Sequence, residues 1–117
     1  ILKSKKTIIY LAYAKLTKKK IGYVKFDQHN QNWIISIANI KNYQQKGFGT
    51  KILKICINKL FKRSSKNQGN LVSFVKKNNF KSQKCFLKNN FINKNSKKIF
   101  KNFNFSEKKY NLYVLKL

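Results

Sequence analysis

The sequence predicts an α+β (mixed α/β) fold in which residues 1–117 form a single domain. A central mixed, mostly antiparallel sheet carries two helices, in the order βββαβαββ. Three short runs of β-branched and aromatic residues open the chain. The apolar spacing then changes from the period of two of strands to the period of about 3.6 of helices, and strand-like and helix-like segments alternate afterwards.

The first three strands are predicted from their composition. Thr7–Leu16, Ile21–Phe26 and Trp33–Ala38 are rich in β-branched and aromatic residues. Short polar segments join them, and short connections favour antiparallel neighbours. We therefore expect an antiparallel meander, with Asp27 and His29 in a solvated turn between the second and third strands.

The first helix is predicted from Thr50 to about Arg63. Its apolar residues fall on one face at helical spacing, and they are Ile52, Leu53, Cys56 and Leu60. Leu71–Val75 reads as the next strand, so the helix is expected to cross over between two strands of one sheet.

The second helix is predicted over Phe80–Lys88. Asn79 precedes it and can accept hydrogen bonds from the free N–H groups of its first turn. Phe91–Phe100 and Tyr110–Leu117 are apolar and are expected to close the chain as two further strands.

The chain is strongly basic, with 28 Lys and Arg against 2 Asp and Glu and a formal net charge of +26. Clustered cations favour a polyanion partner, because they neutralise phosphates and release counterions. A very AT-rich gene predicts the same excess of lysine, and Arg63 is the single arginine. Nucleic-acid surfaces favour the bidentate fork of arginine, so coding bias is the favoured explanation and no nucleic-acid partner is expected.

Other classes are excluded by simple counts. An apolar content of 42% excludes a disordered basic tail. The longest wholly apolar run, Ile8–Ala14, is far below the ~20 residues of a membrane span, so no membrane partner is expected. Cys56 and Cys85 lack C-x-x-C spacing and His29 is the single histidine, so no metal site is predicted. Two reduced core thiols are typical of a cytoplasmic protein.

A glycine loop, Tyr43 to Thr50, separates the third strand from the first helix. A strand, glycine loop and helix start can bind phosphate, because glycine allows close backbone approach and the helix N–H groups carry partial positive charge. A Walker loop is excluded because Gly49 is followed by Thr50, and a Rossmann fingerprint because Ile52 stands at its third glycine position. Glycines that only permit a tight turn are the alternative.

The order of motifs along the chain carries a resemblance that no single motif would. Q-x-x-G-x-G precedes a helix, and N-x-x-S follows a strand and opens a second helix. The residues concerned are Gln44, Gly47, Gly49, Asn79, Ser82 and the segment Cys85–Phe91. This pattern resembles the GNAT superfamily of acetyl-CoA-dependent N-acetyltransferases over about Thr7–Leu117. The resemblance implies an acyltransferase with acetyl-CoA as co-substrate and an amine acceptor.

The resemblance also implies roles for individual residues. The N–H groups of the loop and the helix start would hold the pyrophosphate of coenzyme A. The third strand would part from its neighbour near Ala38 and Asn39 and pair with the pantetheine arm, and Phe86 would line the acetyl end. The implied cofactor-binding residues are Ile37, Ala38, Asn39, Gln44, Gln45, Lys46, Gly47, Phe48, Gly49, Thr50, Asn79, Ser82 and Phe86.

The sequence departs from the family pattern at catalytic positions. Many members carry a tyrosine acid seven residues after the asparagine, where this chain has Phe86. Asn90 replaces a usual glycine, which is tolerable because asparagine also adopts left-handed backbone geometry. Asp27 and Glu107 are the only acidic residues, and Asp27 is expected in a solvated turn. No catalytic residue is therefore assigned, and Cys85 is expected to be a buried core thiol.

The resemblance also implies that the domain is incomplete at its N-terminus. Family domains begin with a strand and two helices, which Ile1–Lys6 is too short to contain. A missing or fused N-terminal region is therefore expected, with an exposed apolar sheet face.

In its general residue pattern the chain is most similar to the branch acting on nucleotide-linked amino sugars of bacterial surface glycans. The alternatives are a ribosomal-protein-type N-terminal acetyltransferase, a relative that binds coenzyme A without turnover, and a non-enzymatic basic nucleic-acid-binding domain.

Overall fold

The computed structural model describes residues 6–13, 17–29, 32–39, 48–63 and 69–116. These residues form strands β1 (Thr7–Tyr13), β2 (Lys20–His29), β3 (Asn32–Asn39), β4 (Asn70–Lys76), β5 (Ile92–Asn93) and β6 (Tyr110–Lys116). The helices are α1 (Phe48–Arg63), α2 (Phe80–Lys88) and α3 (Lys97–Asn102). None of these helices is long and apolar enough to cross a membrane.

All six strands belong to one sheet, in the order β1-β2-β3-β4-β6-β5. The pairs β1–β2, β2–β3, β4–β6 and β5–β6 are antiparallel, and β3–β4 is parallel. The parallel pair follows from α1, because a helix that carries the chain back across a sheet returns the next strand in the same direction. The predicted fold class, a mixed and mostly antiparallel sheet, is confirmed.

The side chains of the central strands alternate between two cores. Trp33, Leu71 and Tyr113 are buried on the face covered by α1 and α2, where Leu53 and Phe86 also pack. Their neighbours in sequence, Val72 and Leu112, are buried on the opposite face against Phe100 of α3. Trp33 is thus a core residue of β3.

The third helix is a correction to the predicted element order. Phe91–Phe100 was expected to be one strand, but only Ile92 and Asn93 pair in the sheet, and α3 follows. The oxygen of Ser96 accepts a hydrogen bond from the N–H of Ile99 (3.5 Å) and caps the helix. Burial of Phe100 then holds this short helix on the sheet.

The second correction concerns the predicted turn after the second strand. β2 continues to His29 and β3 begins at Asn32, so Asp27 and His29 lie in the ladder, opposite Ile34 and Asn32. Asp27 accepts a 2.7 Å hydrogen bond from the hydroxyl of Thr7 in β1. Pairing on both sides of β2 therefore extends the strand through polar residues that composition alone assigns to a turn.

β1 forms one end of the strand order and has an exposed apolar side. Ile9, Leu11 and Tyr13 are 54%, 49% and 55% exposed. Ile8 and Tyr10, which alternate with them along the strand, pack against the core beneath α1 and α2. Ala14–Leu16, the predicted end of this strand, lies outside the described residues.

Candidate functional site

β3 and β4 separate shortly after they meet. Their parallel pairing comprises Trp33 with Leu71 and Ile34 with Val72. At the next position the buried Ser73 hydroxyl donates a 3.2 Å hydrogen bond to the backbone carbonyl of Ile35. The strands therefore part at Ile35, earlier than the predicted point near Ala38 and Asn39, because a side chain takes the place of the next backbone pair.

A groove of about 350 Å³ occupies the gap between the two strands. β3 contributes Ile35, Ser36 and Ile37 to its lining, and β4 contributes Ser73, Phe74, Val75 and Lys76. The remaining walls come from Asn79, Ser82 and Phe86 around α2, and from Tyr110 of β6. Its size falls within the range of small-molecule pockets, about 300–1,000 Å³.

The start of α2 is fixed beside this groove. The side-chain oxygen of Asn79 accepts a 3.2 Å hydrogen bond from the N–H of Ser82 and caps the helix, as predicted. The amide of Gln83 donates to the carbonyls of Lys76 and Lys77 (3.0 and 2.9 Å) and ties α2 to the end of β4. The positive end of the helix dipole is thereby held at the wall of the groove.

The end of α2 is fixed by a left-handed turn. Asn90 has φ 69°, and the N–H groups of Asn90 and Phe91 donate to the carbonyls of Leu87 and Phe86 (3.1 and 3.0 Å). The rings of Phe86 and Phe91 meet edge to face, with centroids 5.0 Å apart. This is the Schellman arrangement with its hydrophobic contact, and it shows that asparagine serves here in place of glycine.

The first turn of α1 is bound to α2. The amide of Asn89 donates to the backbone carbonyls of Thr50 (3.2 Å) and Cys85 (2.8 Å), and the Thr50 hydroxyl lies 3.5 Å from the Cys85 sulfur. Gly49 is buried in the same turn. Cys85 packs against the core as predicted but is only half-buried, whereas Cys56 is buried.

The predicted binding residues are brought together in part. Ile37, Asn79, Ser82 and Phe86 line one groove. Ala38 and Asn39 end β3, Phe48 and Gly49 begin α1, and Thr50 contacts α2. Gln44, Gln45, Lys46 and Gly47 lie outside the described residues.

Neither acidic residue lines this groove. Asp27 binds Thr7 and lies 3.5 Å from the ammonium nitrogen of Lys25. Glu107 is exposed in the turn before β6. His29 packs its ring against Phe103, with centroids 4.8 Å apart, beside a different cavity of about 340 Å³. No carboxylate or imidazole among the described residues is therefore placed in the groove as a base.

Two groups on the helix-covered face are held in their protonated form. Burial raises the pKa of the Cys56 thiol, against a smaller opposing effect of the Lys59 charge. Burial also raises the pKa of the Tyr113 phenol, opposed by a hydrogen bond with Asn111. The Tyr113 hydroxyl also donates to the side-chain oxygen of Gln83 (2.9 Å). Both side chains belong to the core beneath α1 and α2.

Sequence reasoning missed Ser73, Lys76 and Tyr110 as groove residues. Ser73 is a buried hydroxyl in an otherwise apolar strand, and this polar interruption is a signal that sequence reading could have used. Tyr110 opens β6 and carries no such signal, because its position at the groove depends on pairing with Lys76.

Comparison with known proteins decides the family. The sequence model of the acetyltransferase (GNAT) family matches residues 2–91. The chain belongs to the GNAT acetyltransferase family. The prediction of the family is confirmed, and enzymes of this family are acyltransferases that use acetyl-CoA as co-substrate. No significant match was found among curated proteins.

Solved structures share the GNAT fold at low identity. N-acetyltransferase PseH of Campylobacter jejuni, in complex with acetyl coenzyme A, superposes with a TM-score of 0.70 at 19% identity, covering 94% of this chain and 67% of that one. Ribosomal-protein-S5-alanine acetyltransferase of Vibrio fischeri gives 0.73 at 18%, covering 93% and 61%. A mutant of spermidine N-acetyltransferase SpeG of Vibrio cholerae gives 0.67 at 15%, covering 92% and 63%. The chain thus spans about three fifths to two thirds of the length of these proteins.

Proposed function

We propose that this GNAT domain moves the acetyl group of acetyl-CoA to a primary amine by direct attack of the amine on the thioester. The observation that carries the proposal is the groove between β3 and β4. Beyond Ile35 no backbone pair joins the two strands within the described part of the chain. The facing edge of β3 is therefore free to pair with an extended amide-bearing ligand, as an added strand would.

The helix starts supply the second part of the binding site. α1 begins at Phe48, shortly after β3 ends, and Asn89 holds its first turn against α2. Free N–H groups at a helix start attract phosphate. The pyrophosphate of acetyl-CoA would therefore bind at the start of α1 while its pantetheine arm runs along β3, with Asn79, Ser82 and Phe86 at the groove wall.

For the expected attack, the protein has to position the amine beside the thioester and to stabilise the charge that develops. A free amine attacks the thioester carbon, and an N–H donor near the carbonyl oxygen stabilises the charge that develops there. Since neither acidic residue lines the groove, the ammonium form of the substrate would lose its proton to water.

For the acceptor, we favour a nucleotide-linked amino sugar. The net charge of +26, whatever its origin in the gene, repels polycationic amines and attracts acceptors that carry phosphate. Lys76 is the charged residue at the groove. The two free cysteines agree with a reducing compartment, and we place the reaction in the cytoplasm.

A protein N-terminus is the second candidate acceptor. The fold likeness to ribosomal-protein-S5-alanine acetyltransferase supports it. An assay with a nucleotide-linked amino sugar, an N-terminal peptide and spermidine as acceptors separates the candidates. Turnover of the sugar that falls steeply with added salt is expected, because screening weakens attraction to its phosphates. Preference for the peptide or for spermidine would contradict this choice of acceptor.

The cofactor assignment is tested by Gly49→Glu, which places a bulky anion at the start of α1. Asn58→Glu is the matched control, because it adds the same charge at an exposed position of the same helix. We expect acetyl-CoA to raise the melting temperature of the wild type and of Asn58→Glu but not of Gly49→Glu. Circular dichroism of each unliganded protein checks its fold, and equal stabilisation of all three would contradict the proposed site.

A further inference from the structure

The groove lacks the acid that many relatives carry on the second helix. Phe86 occupies that position, is 1% exposed, and packs against Phe91 and Tyr113 with ring centroids 5.0 and 6.2 Å away. A phenyl ring has no proton to give. Loss of the coenzyme A thiolate is nevertheless assisted by a proton donor, and general acids contribute about 10²–10⁴-fold to such steps.

The groove lining offers few other acids. Ser73 already donates a hydrogen bond to the backbone carbonyl of Ile35, and aliphatic hydroxyls are weak acids. Lys76 is exposed on a long flexible stem, and Tyr110 is half-buried. Phenols, with an ordinary pKa of about 10, are close to thiols, at about 8.5, so a phenol can protonate a thiolate without a large uphill step.

The ring of Tyr110 is held in place by its neighbours. Phe105 meets it edge to face at 5.0 Å, and Phe105 itself stacks on Phe74 of β4, with centroids 4.1 Å apart and planes within 5°. Tyr110 pairs with Lys76 across the β4–β6 ladder. It packs with the α3 face of the sheet, opposite Phe86, and both residues line the groove where β3 and β4 separate.

We propose that Tyr110 is the general acid of the acetyl transfer, an inference that rests on the proposed function. The amine nitrogen bonds to the thioester carbon, and the carbonyl electrons move to oxygen. When the intermediate collapses, the carbon–sulfur bond breaks, sulfur takes the electron pair, and the Tyr110 hydroxyl gives its proton to sulfur. The nitrogen loses its extra proton to water, and water returns one to the phenolate.

The first test is turnover of Tyr110→Phe, with Tyr113→Phe as the matched control. Both changes remove one hydroxyl from the same strand, but the Tyr113 hydroxyl binds Gln83 and does not line the groove. We expect the kcat of Tyr110→Phe to fall about a hundredfold, with little change in KM for acetyl-CoA. The kcat of Tyr113→Phe should stay at the wild-type value. Unchanged kcat in Tyr110→Phe, or an equal loss in Lys76→Gln, would overturn the proposal.

A second test needs no turnover. If the Tyr110 hydroxyl donates to the sulfur, it stabilises the thiolate of bound coenzyme A and lowers the pKa of that thiol. The thiol is titrated by its ultraviolet absorbance, against the complex with desulfo-coenzyme A. Tyr110→Phe should raise the pKa of the bound thiol by about one unit, and Tyr113→Phe should not.

The two tests separate the possible failures. An unchanged thiol pKa in Tyr110→Phe would overturn the acid role while leaving coenzyme A binding intact. Absence of coenzyme A binding to the wild type would instead remove the proposed function, and the acid role with it. Melting temperatures of the variants confirm that each remains folded.

Discussion

The hydroxyl of Ser73 in β4 donates a 3.2 Å hydrogen bond to the backbone carbonyl of Ile35 in β3, at the point where the ladder between these strands ends. Ser73 is only 2% exposed. A buried hydroxyl in the middle of a sheet is costly unless it is paired. Its partner here is the carbonyl that would otherwise face the opening of the groove.

Ser73→Ala should lower the free energy of unfolding by about 1–2 kcal/mol, because the Ile35 carbonyl loses a buried partner. It should also weaken acetyl-CoA binding several-fold by loosening the point where the strands part. Urea unfolding and calorimetry measure the two effects. Ser106→Ala, at an exposed site before β6, is the control and should change neither. Wild-type behaviour of Ser73→Ala would mean that the hydroxyl does not shape the groove.

Asn90→Ala should destabilise the protein more than Asn90→Gly does. The positive φ of 69° suits glycine and strains alanine. We expect Asn90→Ala to lose about 1 kcal/mol of unfolding free energy, and Asn90→Gly to lose little or to gain. Thermal unfolding of both proteins tests this. Equal stability of the two variants would argue against the Schellman turn at the end of α2.

Asn89→Asp should uncouple α1 from α2. The aspartate has the same shape but cannot donate to the carbonyls of Thr50 and Cys85, and it would face both with negative oxygens. We expect a loss of about 2–3 kcal/mol in unfolding free energy and weaker acetyl-CoA binding. Asn58→Asp, exposed on α1, is the charge-matched control. If both variants lose the same amount, added charge and not the lost donors explains the effect.

The two thiols should differ in reactivity at neutral pH. Cys56 is buried and its pKa is raised by burial, so little thiolate forms, whereas Cys85 is half-buried. Iodoacetamide should therefore alkylate Cys85 well before Cys56, as read by mass spectrometry of Cys56→Ala and Cys85→Ala. Faster labelling of Cys56 would contradict the described packing of α1.

The same pKa shift predicts a pH dependence of stability. Because the folded state raises the pKa of the Cys56 thiol, the unfolded chain loses this proton first as the pH rises. The contribution is complete below the ordinary thiol pKa and is lost as the pH rises through the raised value. Wild-type stability should thus fall more steeply than that of Cys56→Ala in alkaline solution, and parallel curves would contradict this.

Local signals in the sequence predicted the elements whose causes are local. α2 spans the predicted Phe80–Lys88 because Asn79 caps it through a contact three residues away. α3 was missed because a six-residue helix has too few turns to show a period, although Ser96 marks its start. The ends of β2 were misjudged because pairing with both neighbours overrides polar composition.

Groove residues were predictable where a family motif includes them and not where tertiary contacts bring them together. Asn79, Ser82 and Phe86 follow from a motif, and the structure places them on one groove. The parting of β3 and β4 at Ile35 depends on Ser73, which is 38 residues away along the chain. Tyr110 reaches the groove through its pairing with Lys76, and no local pattern encodes that register.

Binding of acetyl-CoA along the open edge of β3 can be observed by amide hydrogen exchange with and without acetyl-CoA. Exchange should slow for amides of β3 beyond Ile35 and for the first turn of α1, and it should stay unchanged in β1. β1 is the internal control because β2 separates it from the groove edge. Protection confined to other elements, or no protection at saturating acetyl-CoA, would mean that acetyl-CoA does not bind at this edge.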